Sequence, residues 1–159
     1  MILQSIEAPA VGQYWQGQGG LYAGIMPDYE GHEPKHLVFS IDEAVDIEWG
    51  SDHVPEAASR TDGAANTKAL LARALPHPAA QWADDYEKDG HTDFHLPSLA
   101  ELNVAYVTMP EQFFANDLYW SSTDRDAITA YARNFGDTNL DFLFKVFPAR
   151  ARAVRTVPA

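Results

Sequence analysis

Nine polar side chains suited to recognising a ligand crowd into residues 124–145: Asp124, Arg125, Asp126, Thr129, Asn134, Asp137, Asn139, Asp141 and Lys145. Carboxylates accept hydrogen bonds, guanidinium and ammonium groups donate them, and amides do both, so the mixture suits a partner rich in polar groups. Carbohydrate binding would also use an exposed aromatic ring, for which Trp49 and Tyr131 are the candidate platforms. Catalysis has less to work with. Ser121, His95 and Asp93 can be drawn as nucleophile, base and orienting acid, but Ser121 lacks the strained strand-to-helix turn that exposes such a serine. No catalytic residue is expected.

Metal chemistry is also poorly provided for. The chain has six histidines and no cysteine, which removes disulfides, thiolate zinc sites and thiol nucleophiles. His91 and His95 are four apart, yet Gly90 before them and Pro97 after them break the helix that would align them. His32 and His36 flank Pro34 and fall in loop and strand. Residues 42–56 hold six acids, Asp42, Glu43, Asp46, Glu48, Asp52 and Glu56, around Trp49, without the D-x-D-x-D-G spacing that converges oxygens on calcium. This segment reads as a solvated acidic loop, and neither a metal nor a cofactor is expected.

Period and punctuation indicate the elements that must hold these residues. Thr129, Tyr131, Arg133 and Phe135, and again Leu140, Phe142, Phe144 and Val146, recur at a spacing of two, which predicts two strands. Residues 135–139 join them as a turn, with Gly136 free to take positive φ and Asp137 or Asn139 bonding back to the backbone. Residues 140–147, LDFLFKVF, are too apolar for one half-exposed strand. Either both faces are covered, or Leu143 and Phe147, flanking Lys145, form an exposed patch for a subunit or ligand.

Upstream, residues 21–26 and 36–41 read as buried strands, and residues 27–34 as a surface loop. The Gly/Gln-rich stretch at 16–20 is a strand connection, because neither a Lys-Ser/Thr pair nor a helix follows it to cradle phosphate. A helix capped by Thr61 or Asp62 is expected through Ala74, with Ala65, Ala69 and Ala72 on one face. Pro78 opens a second helix stopped by Gly90, and Ser98-Leu99-Ala100-Glu101 is a capping box that opens a short third.

A chain of 159 residues fits one domain spanning 1–159. Its net charge of −12 is uneven: residues 1–115 carry 18 acids against 5 basic residues, and residues 116–159 carry 5 against 6. The acidic portion repels phosphate backbones, so no nucleic-acid partner is expected. No run approaches the ~20 apolar residues that span a bilayer, so no membrane insertion is expected. The first residues lack a basic stretch followed by an apolar one, which points away from secretory export.

Asp93-Phe94-His95-Leu96-Pro97-Ser98-Leu99-Ala100-Glu101-Leu102 resembles the W-R-L-P-T-x-x-E-L motif of the Lcl C-terminal domain family. That family comprises C-type-lectin-like modules of bacterial adhesins and of phage and prophage proteins. Tyr119-Trp120-Ser121-Ser122-Thr123 is similar to its YWSST element, and Arg150-Ala151-Arg152-Ala153-Val154-Arg155 to its closing strand. Residues 12–24, 66–70, 77–80 and 90–94 resemble a phage and prophage branch, so the likeness covers most of the chain. His95 stands where the family pattern has Arg.

The resemblance implies an α+β, C-type-lectin-like fold, with two main helices packed on a twisted antiparallel sheet and chain ends close together. It implies that Tyr131, Arg133 and Phe135 face inward and Ala132 and Asn134 outward, with ligand held between the YWSST and RARAVR elements. Arg150, Arg152 and Arg155 read as packing residues or as grips for an anion. Calcium-dependent sugar binding is not expected, because Glu33-Pro34-Lys35 lacks an Asn or Asp after the proline. Formylglycine-generating chemistry, which the broader fold includes, needs cysteines that are absent.

The expectation is a non-catalytic binding module, phage- or prophage-encoded, that recognises a cell-surface glycan or protein through residues 124–145. It would work in the virion or in the host cytoplasm, as a homo-oligomer or attached to a tail or fibre protein. The alternative is a structural or intracellular phage accessory protein that binds another protein.

Overall fold

The computed structural model describes residues 7–27, 31–136 and 141–159. Asp137, Asn139 and their turn, and the expected closeness of the chain ends, lie outside the described residues. Nine strands form among those described, in two sheets. β1 (Tyr14–Trp15), β2 (Gly20–Met26), β3 (Lys35–Phe39) and β9 (Val154–Pro158) build the first, in that spatial order and antiparallel. The second has the order β4 (Ala44–Ile47), β8 (Ala149–Ala151), β5 (Leu118–Asp124), β6 (Thr129–Asn134) and β7 (Phe142–Phe144), with β5 and β8 parallel.

The class is α+β, but the single antiparallel sheet of the sequence reading is two. Residues 150–155, expected as one closing strand, serve both. The chain changes sheet at Arg152 and Ala153, where the Ala153 N–H donates to Ser40 Oγ (3.0 Å) and its carbonyl accepts from Ser40 N–H (2.8 Å).

Among the described residues three α-helices pack on the sheets. α1 (Gly63–Leu71) is capped by Asp62, whose side chain accepts from Ala65 N–H. It stops short of Ala74, and its buried face is Gly63, Asn66, Thr67 and Leu70 rather than the alanine stripe. The polar pair goes inward because its partners are there: Asn66 Nδ2 donates to the Ser59 carbonyl (2.6 Å), and Thr67 Oγ1 accepts from Leu96 N–H (3.1 Å). α2 (Pro78–Asp85) opens on Pro78 as expected and ends before Gly90. α3 (Leu99–Thr108) is the longest of the three and carries both bonds of the capping box, Glu101 N–H to Ser98 Oγ (3.1 Å) and Ser98 N–H to Glu101 Oε1 (2.8 Å). His95 Nε2, where the family pattern has Arg, lies 3.2 Å from the same Glu101 oxygen.

Among the described residues two large apolar cores form, beside a small cluster of Trp15, Tyr22, Val38 and Val157 on the first sheet. One, between the second sheet and α1 and α2, holds Trp49, Leu70, Leu96 and Trp120 among many alanines; the other, under α3, holds Phe39, Leu102, Met109, Phe113 and Tyr119. Successive residues of β5 therefore serve opposite cores, as strand alternation requires. Trp120 pairs across to Ala132, which was expected to face outward and is buried in the same core. Phe135 is buried as expected, in the core under α3, against Phe113 and Tyr119. Ala130 and Ala132 are buried in the core that holds Trp120 and Asn134 is buried at the end of the strand, while Tyr131 and Arg133 are half-buried, Arg133 lying 3.8 Å from the centre of the Tyr106 ring. Gly136 does not need positive φ; an added Cβ there would run into Asn116 Oδ1.

Candidate functional site

Asp124 closes β5, Thr129 opens β6, Arg125 and Asp126 lie between, and Lys145 follows β7, so one end of the second sheet gathers five of the nine sequence-predicted residues. Lys145 is 1% exposed. Its ammonium donates to the carbonyls of Asp52 (2.9 Å) and Asp126 (2.7 Å), pairs with Asp124 Oδ1 at 2.8 Å, and lies 4.6 Å from the centre of the Trp49 ring. Asp124, also buried, accepts from Val54 N–H at 2.6 Å through Oδ2, with His53 Nδ1 3.0 Å away. Both were expected at the binding surface; both are interior. A buried ammonium with three oxygen partners ties together the loops that follow β4, β5 and β7.

Trp49 is another correction. Its ring is buried, with Nε1 donating to the Ser121 carbonyl (2.9 Å), so it is no platform. Beside it His77 is held edge-on at 5.2 Å, with Nε2 2.9 Å from Asp52 Oδ1. Asp52 in turn pairs with Arg73 at 3.1 Å. The acidic loop of the sequence reading is therefore partly a wall of the core. Tyr131 is half-buried and accepts from Arg60 Nη2 (2.8 Å).

Asp126 and Thr129 spend their polar groups locally. Asp126 Oδ1 accepts from Ile128 N–H (3.0 Å), Thr129 N–H (2.8 Å) and Thr129 Oγ1 (2.8 Å). These bonds, the Thr129 hydroxyl foremost, hold the Asp126 carboxyl down to about 2. A depressed carboxyl contributes stability that is present above the unfolded value of about 3.9 and lost as pH falls through the folded value. A carbon-13 titration of the Asp126 carboxyl should have its midpoint near 2. A midpoint near 4, the ordinary value for Asp, would show the turn to be open in solution.

Arg125 remains at the surface, its guanidinium 3.9 Å from the centre of the Phe142 ring. Asn134 sits at the opposite end of β6, and Asp141 lies between the two ends, its carbonyl accepting from Ala132 N–H (2.9 Å). The other expected groups disperse: Ser121 Oγ donates to the Tyr131 carbonyl, His95 faces Glu101, and Asp93 pairs with Arg155, so no triad forms. Arg150 and Arg152 both pair with Glu43.

What the polar pattern missed is apolar. Ile128 (61%), Phe144 (46%), Val146 (54%) and Phe147 (50%) are exposed at this same end. Lys145 N–H donates to the Ile128 carbonyl (2.9 Å), and Phe144 and Phe147 meet at an inclined 61° with ring centres 5.3 Å apart. The patch offered by the sequence paired Leu143 with Phe147, but Leu143 packs on the core. The strand ends at Phe144 and turns, with Phe147 N–H donating to the Phe144 carbonyl (3.0 Å), which breaks the alternation. Phe147 was half of that expected patch; Ile128, Phe144 and Val146 gave no sign of their exposure.

Among the described residues no group of three or more His, Asp and Glu side chains is placed to hold a metal ion, and no helix is long and apolar enough to cross a membrane. The sequence matches no known family model and no curated protein.

Proposed function

We propose that the protein is a non-catalytic, C-type-lectin-like binding module, phage- or prophage-encoded, that recognises a cell-surface glycan or protein through residues 125–147 without calcium. The observation that carries this reading is the exposed set Ile128, Phe144, Val146 and Phe147 beside Arg125, above a buried polar cluster that fixes its loops. Exposed apolar patches rimmed by polar groups mark interaction surfaces. A surface already rigid loses little conformational freedom on binding. Calcium independence is supported by Lys145, whose ammonium lies among the oxygens of Asp52, Asp124 and Asp126. The likeness of residues 93–102, 119–123 and 150–155 to the Lcl family supports the lectin-like architecture and the phage setting, in the virion or the host cytoplasm.

The second reading, an accessory protein that binds another phage protein, is favoured by the same phenylalanines. Aromatic residues concentrate in protein interfaces. Attachment to a tail or fibre protein, or self-association, would use this face.

A Phe144→Ser/Phe147→Ser variant separates binding from folding. Both rings are half in solvent, so unfolding free energy should change by no more than about 1 kcal/mol. Binding in glycan-array and pull-down assays should fall at least about tenfold, or ~1.4 kcal/mol, and should be indifferent to chelator. Equal binding by the variant would sink the proposed face.

A further inference from the structure

At the other end of the second sheet, the start of β5, the end of β6 and the start of β8 border a cleft of ≈ 550 Å³. That is within the range of small-molecule sites, roughly 300–1,000 Å³. Its polar lining is Asp46, Asn116, Asp117, Asn134 and Arg150, with Val45 as an exposed apolar side. Asn134 is only 6% exposed. Gly136 N–H donates to its Oδ1 (2.7 Å), which fixes the amide and leaves Nδ2 without an acceptor among the described residues. That nitrogen is accessible from the cleft, where an oxygen of a bound molecule can accept from it.

Arg150 is equally preset. Nε donates to Asp117 Oδ2 (2.8 Å) and Nη1 to Glu43 Oε2 (2.9 Å), while the Phe114 ring backs the guanidinium at 4.1 Å. Nη2 is left over as a donor, and Asp117 Oδ1 and the Asp46 carboxylate as acceptors. Asp46 (φ 53°) and Asn116 (φ 65°) are two of the three non-glycine residues with left-handed backbone among those described, and both line this cleft. Conformations of that kind collect at ligand sites.

The charges narrow the ligand. Asp46 and Asp117 repel an anion, and Arg150 is already neutralised by two carboxylates, so it has little charge to offer one. A bare metal ion would face the guanidinium and the amide N–H groups. Hydroxyl groups, which donate to carboxylates and accept from amides and guanidinium, complement the whole set. We infer that this cleft binds a neutral polyhydroxylated ligand, such as a sugar unit, separately from the apolar face.

The test is a nitrogen-15 NMR titration of the intact chain with glucose, galactose, N-acetylglucosamine, maltose and myo-inositol, following the Asn134 Nδ2 and Arg150 Nε signals. At least one probe should shift both signals saturably. Asn134→Asp keeps an oxygen for Gly136 N–H but removes the donor, and should weaken that probe about tenfold or more. Asp46→Gly, which suits the backbone at φ 53°, should weaken it as well and stands in if the first variant folds poorly. The inference is overturned if no probe moves these signals, if both variants bind as the wild type does, or if phosphate or free glycine moves them instead. The Phe144→Ser/Phe147→Ser variant should keep this response, so failure here and failure at the apolar face remain distinguishable.

Discussion

Lys145→Met should cost about 3–5 kcal/mol, the magnitude found when one partner of a buried ion pair is removed. Methionine matches the length and apolar stem of lysine, so the loss falls on the ammonium. Asp124 would keep its bond from Val54 N–H but lose its counter-charge, and the carbonyls of Asp52 and Asp126 would lose their donor. Urea unfolding should show a lower midpoint at unchanged slope. Adding Asp124→Asn should recover part of the loss, because a neutral side-chain carbonyl can still accept from Val54 N–H. A Lys145→Met midpoint equal to the wild type would mean that the ammonium does not bind these loops together. Because Lys145 N–H also holds the Ile128 carbonyl, loosening this residue should also weaken binding through the apolar face.

Gly63→Ala should lower stability by about 1–3 kcal/mol or more, against the direction of helix propensity. Alanine is better than glycine in a helix interior by about 1 kcal/mol, so propensity alone predicts a gain. Space decides otherwise. An added Cβ would meet Glu101 Oε1, the Ser98 amide nitrogen at 2.6 Å and His95 Cδ2 at 2.8 Å. One neighbour is backbone, and the other two are locked in the buried contacts of the capping box, so none can yield cheaply. For a chain of this size the melting temperature should fall by several degrees, at about 2–4 °C per kcal/mol. A raised melting temperature would show that the α1–α3 junction is looser than its contacts imply.

Local signals carried the sequence reading well where the physics is local. The capping box at Ser98 and Glu101, the proline opening α2 and the Asp62 cap each depend on groups within a few residues of one another. The strand at residues 129–134 was equally plain from its period of two. Side-chain direction was not, because a period of two says only that neighbours face opposite ways. Both faces of this stretch are covered: the space beside Trp120 admits only Ala130 and Ala132, while Phe135, taken as inward, does enter the core under α3.

Lys145 failed as an exposed ligand contact for a related reason. Its oxygens come from Asp52, Asp124 and Asp126, distant in sequence, and lysine is buried only when such partners converge. The polar pattern thus drew five residues to one end of the sheet, but Asp124 and Lys145 form its interior rather than its surface. Asn134, read together with these residues, lies at the opposite end of its strand.

The crossing at Arg152 and Ala153 sets the order of events during synthesis. β8 lies between β4 and β5, and β9 is the second neighbour of β3, so neither sheet is complete until residues 149–158 have been made. Arg155 reaches back to Gln18 and Asp93, and Arg152 to Glu43. Contacts that span so much of the chain form slowly. A nascent chain stalled before residue 149 would therefore show ribosome-bound chaperones the open edges of both sheets at once, and its cores would close together rather than in turn.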